Sequence, residues 1–122
     1  MLKNVNRLKR KSAFKATYCN KNVVSTDLII AYAGKIKTDK NCPTRVGFVV
    51  SKKVHKRAVK RNKIKRLMRE AIRLMFLNKE TNIIDNYQSL VFVAKDNALD
   101  KSFEEIRNTI LILLNKLAIK NI

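Results

Sequence analysis

Apolar residues recur along this chain with two different periods, and the switches between them mark its elements. Behind Ser102, the residues Phe103, Ile106, Ile110, Leu113, Leu114 and Leu117 stand three or four apart. That spacing gathers side chains on one helical face, and the stripe reads as core. Ser102 and Glu105 form a capping box at its start, the hydroxyl and the carboxylate each satisfying a free backbone donor. A second helix runs from about Ala58 to about Leu77, with Ile64, Leu67, Met68, Ala71, Ile72 and Met75 on one arc. Ser12 is placed to cap a short helix over Ala13–Cys19 that sets Phe14 and Tyr18 on one face. Three segments lack a helical period and read as strands: Thr26–Ala33, Thr44–Ser51 and Ser89–Lys95. The last is apolar along its length, as a central strand covered by helices should be. Between the first two, the polar segment Gly34–Pro43 suits a hairpin loop.

Composition narrows the class. With 122 residues, 46% of them hydrophobic, the chain fits one globular domain over residues 1–122. Its longest purely apolar run, Leu28–Ala33, falls far short of the roughly 20 residues that span a bilayer. The basic N-terminus has no apolar segment behind it, so neither a membrane span nor a secretory signal is expected. Cys19 and Cys42 lack C-x-x-C spacing and accompany a single His, which fits free thiols in a reducing cytoplasm.

Charge changes the picture most. The formal net charge is +19, and 22 of the 28 Lys and Arg lie in residues 1–73, against Asp27, Asp39 and Glu70. Residues 74–122 carry six charges of each sign, so a lysine-rich habit of composition does not explain the excess. Concentrated charge of one sign calls for a polyanionic partner. Lys52–Arg73 holds eleven basic residues and one acid. Opposite the apolar arc of the second helix lie Arg61, Asn62, Lys65, Arg66, Arg69 and Arg73. Like charges one turn apart weaken a helix unless a polyanion neutralises them. Arginine forks match phosphate oxygens, lysines add compact charge, and Asn62 can reach a sugar, base edge or phosphate. A membrane-surface role fits poorly, because the apolar face is needed for the core and the chain has no Trp.

Nothing resembles a helix-turn-helix, a zinc finger or a heptad-bearing basic region. Phe14, Tyr18 and Tyr32 lie amid Arg10, Lys11, Lys15 and Lys35, the mixture on which unpaired RNA bases stack. Ordinary core packing is the alternative for each ring. A self-sufficient metal-dependent nuclease needs clustered carboxylates, and the acids of the basic half are scattered. A ribosomal or other structural RNA-binding protein fits the charge, size and aromatic content equally well.

The run Val46–Lys53, VGFVVSKK, followed by Ala58-Val-x-Arg-Asn-x-x-Lys-Arg-x-x-Arg-Glu70, resembles the protein component of bacterial ribonuclease P. Arg7-Leu8 with Phe14 six residues later matches that family's opening, and the likeness covers nearly the whole chain. One departure lies before Ala58: many members carry Gly-Asn there, whereas this chain has His55-Lys56-Arg57 and is one residue longer. His55 therefore reads as a loop residue near RNA, not as a catalytic group. The resemblance implies an α+β fold, a two-layer α/β sandwich of order α-β-β-β-α-β-α, with a further short strand near Val23–Val24. It also implies a left-handed crossover through the basic helix, against the usual right-handed rule. The partner it implies is a catalytic RNA that uses bound Mg2+ to remove the 5′ leader of precursor tRNA in the cytoplasm. Lys52, Lys53, Arg57, Arg61, Asn62, Lys65, Arg66, Arg69 and Arg73 would then dock on that RNA. Phe14, Tyr18 and Tyr32 would hold the single-stranded leader.

Overall fold

In the computed structural model, which describes residues 6–39, 41–78 and 84–120, a four-stranded mixed sheet separates three helices. In chain order the elements are α1 Lys11–Cys19, β1 Asn22–Ser25, β2 Ile29–Ala33, β3 Arg45–Val50, α2 Ala58–Asn78, β4 Ser89–Ala94 and α3 Phe103–Lys120. The sheet order is β1-β2-β4-β3. β4 is central, antiparallel to β2 and parallel to β3. Parallel neighbours need a crossover connection, and α2 supplies it.

Side-chain alternation gives the sheet two unlike faces. Ile29, Ala31 and Ala33 pair with Ala94, Phe92 and Leu90, which in turn pair with Val50, Phe48 and Val46. These rows form one face, and α2 and α3 pack on it. Ile64, Met68, Ala71, Ile72 and Met75 from α2 meet Ile106, Ile110, Leu113, Leu114 and Leu117 from α3 in a single buried core. Complete burial of each Ile, Leu or Met side chain among them contributes about 1.5–3 kcal/mol. The α3 stripe expected from the sequence is therefore core. Ser102 Oγ accepts the Glu105 N–H at 3.2 Å, which supplies the hydroxyl arm of the expected capping box. The Glu105 carboxylate lies 3.9 Å from Lys101.

Three local expectations are corrected. The Gly34–Pro43 segment is not a hairpin loop, because β4 lies between the strands it joins. Instead its first residues run beside the approach to β4, Gly34 N–H donating to Ser89 O and Gln88 N–H to Lys35 O. Thr26 does not belong to β2: its hydroxyl accepts from the N–H groups of Leu28 and Ile29, closing a tight turn between β1 and β2. The short strand β1 fills the place expected near Val23–Val24. Ser12 does not cap α1. Arg10 holds that position in extended backbone, its carbonyl accepting from Ala13 and Phe14. The start of α1 is set by seating its inner face on the sheet, and Ser12 falls inside the first turn.

Candidate nucleic-acid interface

α2 presents the charged surface. Asn62, Lys63 and Arg66 are exposed, and Arg61, Lys65, Arg69 and Arg73 are half-buried. Val59, Asn62, Lys63, Arg66, Arg69 and Glu70 line a groove of about 520 Å³ along its outer side. Lys63 was outside the arc built on Arg61, Lys65, Arg69 and Arg73. Its position three residues before Arg66 was the signal that could have included it.

These cations are engaged to different degrees. Arg73 grips the Glu70 carboxylate through Nε, 3.1 Å from both oxygens, and through Nη2, 2.6 Å from Oε1. That hydrogen bond holds the Glu70 carboxyl below the usual carboxylate range. Arg69 lies 5.9 Å from the centre of the Phe48 ring, so its guanidinium is steadied over an aromatic face. Arg61 turns back toward the preceding loop, where its Nη1 donates to His55 O at 3.0 Å and Lys56 O at 2.9 Å. Lys52, Lys53, Lys56 and Arg57 are exposed on that loop. His55 is a loop residue as expected, with Nδ1 accepting the Arg57 N–H at 3.0 Å.

The aromatic residues belong to the other face of the sheet, where Val23, Tyr32, Val91 and Gly47 form one row and Ser25, Ile30, Val93 and Val49 the next. α1 covers part of it. Phe14 lies on Gly47, where an added Cβ would stand 2.5 Å from two ring atoms. Thr17 is buried and donates to Ala13 O, so its single proton is used and Ser89 is left to donate to it at 2.6 Å. Asn20 Nδ2 donates to Ala33 O and pins the end of the helix. Tyr18 and Tyr32 meet edge to face at 4.7 Å between ring centres. Such a pair leaves ring surface open for a further planar partner. Tyr18 is 37% exposed. Burial first, and the neighbouring Tyr32 second, push its phenol above its ordinary value, so it stays a hydrogen-bond donor. Beside the pair, Ile30, Val49 and Val93 are half-buried and Val23 is exposed, continuing an apolar floor.

On the other flank of α1, Leu8, Ala13, Ala16, Pro43 and Arg45 help line a depression of about 350 Å³ that sequence reasoning missed. Its signal was the pair of small residues three apart on α1. Both cysteines are free and exposed. Among the described residues, no three His, Cys, Asp or Glu side chains gather into a metal-ligating group. No helix among them is long and apolar enough to cross a membrane. The expected docking residues thus collect around α2 and its leading loop, and the expected leader-holding rings collect under α1, across the sheet.

The family model for ribonuclease P matches residues 2–118. The chain is 35% identical over 120 residues to the ribonuclease P protein component of Alkaliphilus oremlandii, covering 98% of this chain and 97% of that one. Its fold is similar to the Staphylococcus aureus RNase P protein, with a TM-score of 0.71, 28% identity, and 90% and 93% of the two chains covered. It is also similar to a mutant of the S. aureus protein described as having defective mRNA degradation activity. There the TM-score is 0.74 and the identity 27%, with 90% and 86% covered.

Proposed function

Given that this chain belongs to the ribonuclease P protein family, we propose that it is the protein subunit of a ribonuclease P holoenzyme. In this reading α2 and its leading loop dock on the catalytic RNA, and the α1 cleft holds the 5′ leader of precursor tRNA. The RNA then cuts the leader away and leaves the mature tRNA 5′ end. The observation that carries the reading is the separation of two RNA-suited surfaces by one sheet, cations around α2 and open rings under α1.

The chemistry assigned to the protein is electrostatic. Bringing a leader against a catalytic RNA crowds two polyanions, which costs free energy unless cations intervene. Lys52, Lys53, Arg57, Lys65, Arg66 and Arg69 supply fixed positive charge for phosphates, Asn62 a polar contact, and Arg61 and Arg73 charge already engaged within the protein. Leader bases stack on Tyr18 and Tyr32, with Phe14 flooring the cleft. Mg2+, held mainly by the RNA, would activate the attacking water and offset the negative charge that develops on the leaving oxygen. The holoenzyme works in the cytoplasm.

The test uses RNA-free protein and labelled precursor tRNA, with and without the ribonuclease P RNA. Protein alone should leave the substrate intact at every magnesium level. Added to the RNA, it should restore cleavage at low magnesium, with the benefit shrinking as magnesium rises. A structural RNA-binding protein would bind but leave the magnesium requirement unchanged. Correct 5′ cleavage by the protein alone would falsify the cofactor role. An mRNA arm asks whether the activity named for the S. aureus mutant extends to this chain.

A further inference from the structure

The family motif treats Arg61 as one docking cation among several, yet its side chain leaves the docking face. We infer that Arg61 is a positioning residue: it clamps the 51–57 loop in the shape that presents Lys52, Lys53, Lys56 and Arg57, and it makes no phosphate contact of its own. This inference rests on reading α2 and its loop as the face that meets the catalytic RNA.

Three observations carry it. Arg61 is half-buried, and one guanidinium nitrogen donates to the carbonyls of both His55 and Lys56, six and five residues away. The loop's other bonds are more local. Val54 N–H reaches Ser51 O at 3.1 Å, Lys53 N–H reaches Ser51 Oγ at 3.2 Å, and Arg57 N–H reaches His55 Nδ1 at 3.0 Å. They shape two small turns, and the Arg61 side chain ties the second of them, with the residues that lead out of the first, to the helix. Finally, four exposed cations lie on this one loop. Their repulsion favours opening, so a compact loop needs a tether strong enough to offset it. Two neutral carbonyls gripped by a cation meet that need. Swinging Arg61 out to a phosphate would remove the donor from both carbonyls.

A double-mutant cycle separates positioning from contact. The measurement is affinity for the ribonuclease P RNA across a salt series, in which each phosphate contact contributes a slope of roughly 0.7–0.9. Arg61→Met should lose clearly more than one contact's slope. In a background carrying Lys52→Gln, Lys53→Gln, Lys56→Gln and Arg57→Gln it should lose almost nothing further, because the presented cations are already gone. Amide exchange of the free protein should quicken at residues 52–57 in Arg61→Met and stay unchanged from Ile64 to Met75, which also reports on folding. Citrulline at position 61, introduced by ligation at Cys42, keeps the planar shape and one terminal NH2 able to reach both carbonyls, without the charge, and should retain the wild-type slope. A loss of about one contact, equal in both backgrounds and repeated by citrulline, overturns the inference. If the wild-type chain binds that RNA without a steep slope, the docking reading fails instead. Unchanged loop exchange in Arg61→Met would then reject the clamp independently.

Discussion

At the scale of single residues, Glu70 and Arg73 decide how much of the helix charge is available. The carboxylate is gripped from two nitrogens, and the bond to Arg73 lowers its titration below the ordinary range. A depressed carboxylate contributes its stabilisation above the unfolded-state value and loses it as pH falls through the lower folded-state value. At neutral pH the pair is therefore complete, and part of the Arg73 fork is occupied by Glu70. Glu70→Gln leaves one amide oxygen as acceptor and frees most of that fork for a phosphate. Salt-dependent binding to the ribonuclease P RNA should steepen by about one contact, roughly 0.7–0.9 in slope, and tighten at low salt. Both partners are solvent-accessible, so the melting temperature should change little. An unchanged slope would mean that Arg73 does not reach RNA at all.

At the scale of elements, the seat of α1 on the sheet controls the aromatic cleft. Gly47 matters because the Phe14 ring occupies the space of its missing side chain. Gly47→Ala should therefore overpack this contact, costing about 1–3 kcal/mol of stability, and tilt α1. Tyr18→Ala removes a partly exposed ring and its edge-to-face contact with Tyr32, and should cost about 0.5–1.5 kcal/mol of stability beyond its lost burial. It should weaken binding of leader-bearing tRNA by about 1–3 kcal/mol, the worth of one base stack. Gly47→Ala should share the leader-specific loss, although it removes no ring. Binding assays with precursor and mature tRNA check both, and equal losses for the two RNAs would assign the rings to packing alone. Much of this level was legible beforehand. The α3 stripe, the start of α2 at Ala58 and the apolar run of β4 all follow from period and capping, which are local properties. Strand order was not, because an apolar run states that a strand is buried but not which neighbour buries it. The Gly34–Pro43 hairpin failed on that point. The docking cations were legible as an arc, whereas their engagement was not. Arg61 binds carbonyls, which every residue carries, and Phe14 meets Gly47 from a different element. Only the Glu70–Arg73 pair had a sequence signal, its i,i+3 spacing.

At the scale of the whole molecule, the uneven charge sets two salt responses of opposite sign. The N-terminal 73 residues carry the entire net charge of +19, concentrated on α2, its loop and the chain before them. Arg61, Lys65, Arg69 and Arg73 recur every four residues, about 6 Å of rise along the axis. The screening length is about 10 Å near 0.1 M salt and about 3 Å near 1 M, so these neighbours repel at the lower concentration and hardly at the higher. Free protein should therefore gain stability with sodium chloride, by a few degrees in melting temperature if the relief is on the order of 1 kcal/mol. RNA binding should respond in reverse, since salt competes for the phosphates that the basic face neutralises. The control is Lys65→Gln with Arg66→Gln, which should melt higher than the wild type at low salt and gain less from added salt. General salting effects on apolar burial would stabilise both chains alike, so the difference between them isolates charge repulsion. If wild type and variant respond equally, the basic face is already relaxed in the free protein, and its charge has some purpose other than waiting for a polyanion.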